Sequence, residues 1–345
     1  MSEPILIWGA GAIGGTIGAY WARAGIPVLL VDIVAEHVEA CRTRGLNITG
    51  PVEEFRQVVP AVTPQELTGR YSRIVLAVKA GATEAALAML APHLAEDGFV
   101  FSAQNGLNEL AIAKAVGEQR TMGCFVNFGA DWLGPGEILY GNRSAMVVGE
   151  LDGTMSERAA EMQRLLKLFE PNAILTDNIY GYLWGKLAYG AMLFGTALTD
   201  DSMSANFADP QRLPVWLALG REVGAVAAKR GIHQLGFGEF DPTVFAPGRP
   251  EGPQVETIRW LAHYTSQTAK THSGIWRDLA VRKRKTEVDP QIGIIATLGR
   301  EVGVPTPALE TLVALIHDIE EGRRPMAFDT LKVLIDQCRS VSTTA

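Results

Sequence analysis

The chain opens on an apolar run, residues 5–8, that reads as a buried strand and passes directly into a cluster of glycines. Small and apolar residues follow at helical spacing from 13 to 21, and a second apolar run, 27–31, reads as another strand. Strand, turn, helix and strand make a βαβ unit, whose crossover is right-handed in a parallel sheet. Apolar runs at 74–78, 99–101 and 121–125 alternate with Ala- and Leu-rich helical stretches, the pattern of a doubly wound sheet. After Gly134-Pro135-Gly136 the pattern changes. Residues 137–140 and 145–148, separated by Gly141-Asn142, predict a hairpin extending the sheet; a helix near 156–169 and a short strand at 173–175 close this half.

Beyond Asp177 strand signals nearly vanish, and apolar positions recur at helical spacing around 178–198, 213–230, 256–285, 289–302 and 307–320. The Pro- and Gly-rich stretch 236–253 interrupts them and predicts a surface loop that could cover a cleft. The expected architecture is α/β: an N-terminal Rossmann-type doubly wound sheet over 1–177, then a C-terminal all-helical domain over 178–345. The 345 residues, 47% hydrophobic and 20% charged, suffice for two packed domains. A net charge of −7 offers no basic excess for nucleic-acid phosphates or anionic lipid. No run of about 20 apolar residues predicts a membrane span, and the N-terminus does not read as a signal peptide. The three cysteines, Cys41, Cys124 and Cys338, are far apart and in no metal-binding spacing, so neither disulfides nor a metal site is expected. A reducing cytoplasm fits that usage best.

Gly9-Ala10-Gly11-Ala12-Ile13-Gly14 is a GxGxxG motif between a predicted strand and a predicted helix. Its first glycine suits a tight turn, its second close approach of a pyrophosphate, and its third close helix–strand packing. That context points to dinucleotide binding rather than to a plain glycine turn. Asp32 ends the second strand, where a carboxylate accepts hydrogen bonds from the adenosine ribose hydroxyls and repels a 2′-phosphate, favouring NAD over NADP. The plainer alternative is that Asp32 caps the next helix. Lys79 and Asn105-Gly106 follow the third and fourth strands, at the carboxyl ends where open α/β sheets bind ligands. Taken singly, each could equally be a solvated lysine and a turn.

With these motifs the chain resembles the ketopantoate reductase family, the 2-dehydropantoate 2-reductases, over nearly its whole length. The resemblance rests on residues 9–15, Val78-Lys79-Ala80, Gln104-Asn105-Gly106, Trp184-Gly185-Lys186-Leu187, Thr286-Glu287-Val288-Asp289 and Gly303-Val304-Pro305-Thr306-Pro307. It implies hydride transfer between a nicotinamide and a 2-oxo acid between two domains, and a homodimer as a plausible assembly. Lys186 matches the family's catalytic lysine, the general acid that protonates the carbonyl oxygen. An ammonium group there would stabilise the developing alkoxide and supply its proton. Glu287 matches the glutamate that closes over cofactor and substrate. Lys79 and Asn105 match cofactor-cleft positions, Asn105 close to the reacting carbon.

The chain also departs from the family pattern. Asparagines four and eight residues after the lysine, which hold the hydroxyl and carboxylate end of ketopantoate, are replaced by Gly190 and Phe194. The serine four residues before Asp278 is Gly274, with Ser273 adjacent, and the stretch from Asp278 to Glu287 is one residue longer than usual. A site that loses such hydrogen-bonding groups loses discrimination for the substrate hydroxyl. Gly190 lies on the face of Lys186, and a helix-interior glycine costs about 1 kcal/mol relative to alanine, which implies either a packing need or room for a ligand. The sequence therefore predicts an NAD-dependent oxidoreductase acting on a small 2-hydroxy, 2-oxo or polyhydroxy acid. A true 2-dehydropantoate 2-reductase is the alternative within enzymes. A nicotinamide-binding redox regulator without turnover is the alternative of another class, although such a sensor needs no proton donor.

Overall fold

The first strand, β1 (Ile5–Trp8), is buried along its whole length because both of its faces are covered. Ile5 and Ile7 join one hydrophobic cluster with Trp21 and Phe169, while Leu6 and Trp8 join another with Leu87 and Ile112. An unbroken apolar run is what a strand with helices on both sides requires. The structure is a computed structural model describing residues 3–268 and 270–342. It divides into two compact units, Met1–Ile179 and Tyr180–Ala345.

In the first unit the remaining strands are β2 (Val28–Val31), β3 (Leu46–Thr49), β4 (Phe55–Gln57), β5 (Ala61–Val62), β6 (Tyr71–Leu76), β7 (Leu94–Ser102), β8 (Thr121–Val126), β9 (Gly129–Gly134), β10 (Glu137–Asn142), β11 (Met146–Glu150) and β12 (Ile174–Leu175). The helices are α1 (Ala12–Arg23), α2 (Ala35–Thr43), α3 (Thr83–Leu90), α4 (Asn108–Val116) and α5 (Glu157–Leu166). Eight strands form one sheet in the order β12-β11-β8-β7-β6-β1-β2-β5. The chain leaves β1 through α1 to β2 on one side and later returns to β6 on the other. β1 and β6 therefore flank a topological switch point, and parallel sheets bind ligands at the carboxyl ends of such strands.

The predicted hairpin is corrected by the pairing. β10 lies antiparallel to β9 and parallel to β3, with Ile138 opposite Ile48, in a separate four-stranded sheet ordered β4-β3-β10-β9. β11 instead joins the main sheet antiparallel to β8, Val147 facing Phe125. Gly141-Asn142 is the end of β10, not a two-residue turn, because the partner of β10 is the preceding strand.

The second unit is helical: α6 (Ile179–Thr196), α7 (Met203–Ala208), α8 (Leu213–Lys229), α9 (Glu251–Ser266), the short α10 (Gly274–Trp276), α11 (Ile294–Glu301), α12 (Pro307–Glu320) and α13 (Phe328–Ser342). The helical pattern read over 256–285 is broken, since α9 stops at Ser266 and a new turn starts at Gly274, capped by Ser273. The stretch 236–253 is largely exposed, as a surface loop would be, but it is pinned: Phe240 and Phe245 are buried, and a Cβ on Gly220 or Gly224 of α8 would come within 2.6 or 2.7 Å of Phe245 atoms.

Candidate active site

The three motif glycines have different local causes. Gly9 has φ of +99°, and a Cβ there would lie 2.8 Å from the Val78 backbone nitrogen just beyond β6; a Cβ at Gly14 would lie 2.0 Å from the Gly9 carbonyl oxygen. Both are demanded by the protein's own packing. Gly11 is not, for a Cβ there would meet no heavy atom within 4 Å. The space it leaves open faces the start of α1, where Gly11 is the N-cap and supplies no side-chain cap. A cradle that a side chain would fill, in front of unfilled helix N–H groups, fits the pyrophosphate of a dinucleotide.

Asp32 stands at this loop. Its Oδ2 accepts from the Ala10 N–H at 2.9 Å and its Oδ1 from the Val34 N–H at 3.0 Å. The second bond organises the turn into α2, yet the helix N-cap is Val34, so capping does not account for the carboxylate. Each oxygen retains acceptor capacity for a ribose hydroxyl. The next residue, Ile33, is 75% exposed and brings no cation to receive a 2′-phosphate.

The other end of the Ala10 residue is held by a side chain that the sequence did not single out. His37, buried in the first turn of α2, places Nε2 2.7 Å from the Ala10 carbonyl. Its Nδ1 receives the Gly136 N–H at 3.0 Å and the Trp132 indole N–H at 3.3 Å. Two donors aimed at Nδ1 put the imidazole proton on Nε2, which donates to Ala10. Ala10 is thus clamped at N–H by Asp32 and at C=O by His37, and the clamp ties the Gly9–Gly14 loop to β9 and the β9–β10 turn.

Lys79 and Asn105 are both exposed, three residues beyond the ends of β6 and β7. A buried network spans their two loops. Gln104 Nε2 donates to the Val78 carbonyl and to Thr83 Oγ1, both at 2.8 Å; the Thr83 hydroxyl donates to Asn108 Oδ1, and Asn108 Nδ2 to the Asn105 carbonyl at 2.6 Å. These bonds link the two strand-end loops, although Gln104 Oε1 is buried with no partner among them.

In the helical unit, Lys186 is carried by α6. From Tyr182 onward the residues of this helix that are not buried are Tyr182, Lys186, Tyr189, Gly190 and Leu193, a single stripe at helical spacing. Lys186 is its one residue charged at neutral pH. Glu287 lies on another segment, 286–289, anchored where Thr286 N–H and hydroxyl donate to Glu320 Oε1 at 2.6 and 2.7 Å. Gln291 donates to the Glu287 carboxylate at 3.3 Å.

Family models for ketopantoate reductase PanE/ApbA match residues 5–153, and its C-terminal counterpart matches 178–320. The chain belongs to the ketopantoate reductase family. It is an oxidoreductase of that superfamily, acting on CH–OH groups. It is 28% identical over 342 residues to the 2-dehydropantoate 2-reductase of Mesorhizobium japonicum, covering 92% of this chain and 98% of the relative. A 2-dehydropantoate 2-reductase of Archaeoglobus fulgidus is 27% identical over 322 residues, covering 93% and 99%. The fold is shared with D-mandelate dehydrogenase solved with NADH and anilino(oxo)acetate (TM-score 0.78, 24% identity, 92% and 98% covered). It is shared too with a PanE/ApbA family ketopantoate reductase from Ralstonia eutropha (TM-score 0.77, 24% identity, 92% and 99% covered).

The departures from the ketopantoate reductase pattern now have a structural form. Gly190 shares the stripe of Lys186, whereas Phe194 is 1% exposed and turned into the core of the helical unit. Ser273 is buried, its Oγ accepting from the Trp276 N–H at 3.1 Å as the cap of α10. A π turn, Arg277–Val281, which holds more residues per turn than an α-helix, begins the stretch that leads from Asp278 to Glu287. Within it Asp278 Oδ1 gathers Arg282 at 2.9 Å and Arg284 at 2.8 Å. A second π turn, Asp289–Gly293, begins two residues after Glu287.

Proposed function

We propose that this chain is an NAD-dependent oxidoreductase that interconverts a small 2-hydroxy acid and its 2-oxo acid, with Lys186 as general acid in reduction and general base in oxidation. The observation that carries the reading is Lys186 as the one charged group on the unburied stripe of α6. A bound reduced nicotinamide supplies the hydride to the carbonyl carbon. Lys186 Nζ–H donates to the carbonyl oxygen, stabilises the charge that gathers there and yields its proton to the new hydroxyl. In the reverse direction the neutral amine takes that proton back.

Asp32 supports NAD over NADP: its carboxylate, fixed 2.9 Å from the Ala10 nitrogen, pairs with a ribose diol and repels a phosphate. Gly9 to Gly14, by way of Gly9, Ala10, Gly11, Ala12 and Ile13, receive the pyrophosphate, with Lys79 and Asn105 along the same cleft. Asn105 orients the carbonyl, and Glu287 closes over the bound pair. The relatives named 2-dehydropantoate 2-reductase favour ketopantoate as a second reading. Against it, neither Gly190 nor Phe194 offers the amide that would hold the hydroxyl of ketopantoate.

The test is a titration of both nicotinamides followed by a panel of 2-oxo acids monitored by nicotinamide absorbance. NADH is expected to bind at least about tenfold more tightly than NADPH, an energy difference of about 1.4 kcal/mol. Equal affinity or a preference for NADPH contradicts the Asp32 assignment. Ketopantoate reduced at about 10⁴ M⁻¹s⁻¹ or better, the range of ordinary enzymes on their own substrates, establishes the second reading instead.

A further inference from the structure

Glu320 ends α12 where a carboxylate is unfavourable twice over: the helix macrodipole is negative there, and the side chain is 2% exposed. A buried charge needs donors, and these come from the segment of Glu287 and from His317. Glu320 Oε1 accepts the Thr286 N–H and the Thr286 hydroxyl at 2.6 and 2.7 Å, and Oε2 lies 3.1 Å from His317 Nδ1. His317 Nε2 lies 3.0 Å from Asp289 Oδ1. Ionised carboxylates only accept, so an imidazole placed between two of them donates from both nitrogens and is the imidazolium. α12 thus grips residues 286 and 289, on either side of Glu287. Between the grips the buried Val288 donates its N–H to Thr286 Oγ1 at 3.3 Å, and the Glu287 carbonyl accepts the Gln291 N–H at 3.1 Å. Replacing a buried ion pair with well-packed apolar residues is often neutral or stabilising, so stability alone does not explain this one; what it adds is a single position for the chain it holds.

We infer that Glu320 and His317 are positioning residues for Glu287: by holding Thr286 and Asp289 they fix the backbone that presents the Glu287 carboxylate to the bound substrate and cofactor. The inference rests on the role proposed for Glu287 and adds the device that places it. Both residues act through Glu287, so their loss matters to turnover only while Glu287 is there. Glu320 carries the larger share, because it holds Thr286 by two bonds and His317 by a third, whereas His317 leaves the Thr286 bonds in place when it is removed.

The test is a double-mutant cycle, read as kcat/KM with NADH and whichever of pyruvate, benzoylformate and ketopantoate wild type reduces best. Glu320→Ala should lower kcat/KM at least about tenfold, the scale of a misplaced catalytic group, and His317→Ala should lower it less. Glu320→Gln should recover most of the loss, since its amide oxygen still accepts from Thr286 and its N–H can serve Nδ1 of a neutral His317. In a Glu287→Ala background both alanine changes should cost less than about twofold, because a residue that acts through Glu287 has nothing left to place. Equal losses in the two backgrounds overturn the inference while leaving the role of Glu287 standing. A Glu287→Ala protein as active as wild type refutes that role instead. Should Glu320→Ala fail to fold, the cycle with the half-buried His317 decides the same point. Where Glu287→Ala is without effect, or no 2-oxo acid is turned over, hydrogen exchange decides: amides of residues 286–291 should exchange at least about tenfold faster in Glu320→Ala or His317→Ala than in wild type, with those of α1 unchanged. Unaltered exchange across 286–291 overturns the inference.

Discussion

Replacing His37 with leucine removes one side chain and strips two buried backbone groups of their partner. The Ala10 carbonyl loses a 2.7 Å bond and the Gly136 N–H a 3.0 Å bond, both buried; Trp132, 42% exposed, can turn its indole N–H to water. An orphaned buried polar group costs about 1–3 kcal/mol, so the pair is worth about 2–6 kcal/mol of stability in the sheet unit. Leucine is close to histidine in size, which keeps a cavity from dominating the result. Cofactor affinity should fall as well, since the Ala10 residue is then held only by the Asp32 bond to its N–H. One lost positioning bond of about 1 kcal/mol predicts an NADH dissociation constant about fivefold higher. Urea unfolding followed by tryptophan fluorescence gives the first number and calorimetric titration of NADH the second. His37→Gln, with an amide N–H for Ala10 and a carbonyl for Gly136, should recover part of both. Unchanged unfolding midpoint and unchanged NADH affinity in His37→Leu would refute the clamp.

Gly11→Ala and Gly14→Ala should separate binding from folding. The first puts a methyl group into the open space proposed to receive the pyrophosphate and should cost NADH affinity at least about tenfold with little change in melting temperature, whereas the second, 2.0 Å from the Gly9 oxygen, should destabilise the unit outright. Glu109, fully buried on α4, has its carboxyl pushed up to about 7 by burial. Because this value lies above the unfolded carboxyl near about 4.3, its contribution is complete at low pH and is lost as pH rises through about 7, by up to about 3 kcal/mol. Urea midpoints measured between about pH 5 and about pH 8 should fall in wild type and fall less in Glu109→Gln. Glu222, also raised to about 7 by burial, keeps part of the slope in both proteins, and an identical slope would contradict the Glu109 assignment.

Local pattern carried a good part of this fold. The β1–α1–β2 unit and its glycines are written in consecutive residues, and strand-end positions such as Asp32, Lys79 and Asn105 follow from the strands. The second sheet could not be read that way. β3 and β4 are short, and β10 finds β3 about ninety residues away, with Asn47 opposite Glu137, so no neighbouring signal marks the pair. His37 was hidden for the same reason. Its partners Ala10, Trp132 and Gly136 lie 27, 95 and 99 residues off, and a lone histidine on a helix announces none of them. At Gly190 the sequence could pose the choice between packing and ligand space. The coordinates show that a Cβ there would meet no neighbour within 4 Å, which removes the packing cause, because what surrounds a helix face is set by distant chain.

The central claim is that Lys186 gives the proton while the hydride is delivered. Rapid mixing of enzyme–NADH complex with a 2-oxo acid, for wild type and Lys186→Ala, measures this most directly. The account predicts that hydride transfer in Lys186→Ala slows by about 10²-fold or more while the NADH dissociation constant stays within about twofold, the mark of an interaction made in the transition state. Hydride transfer at near wild-type rate in Lys186→Ala would contradict it.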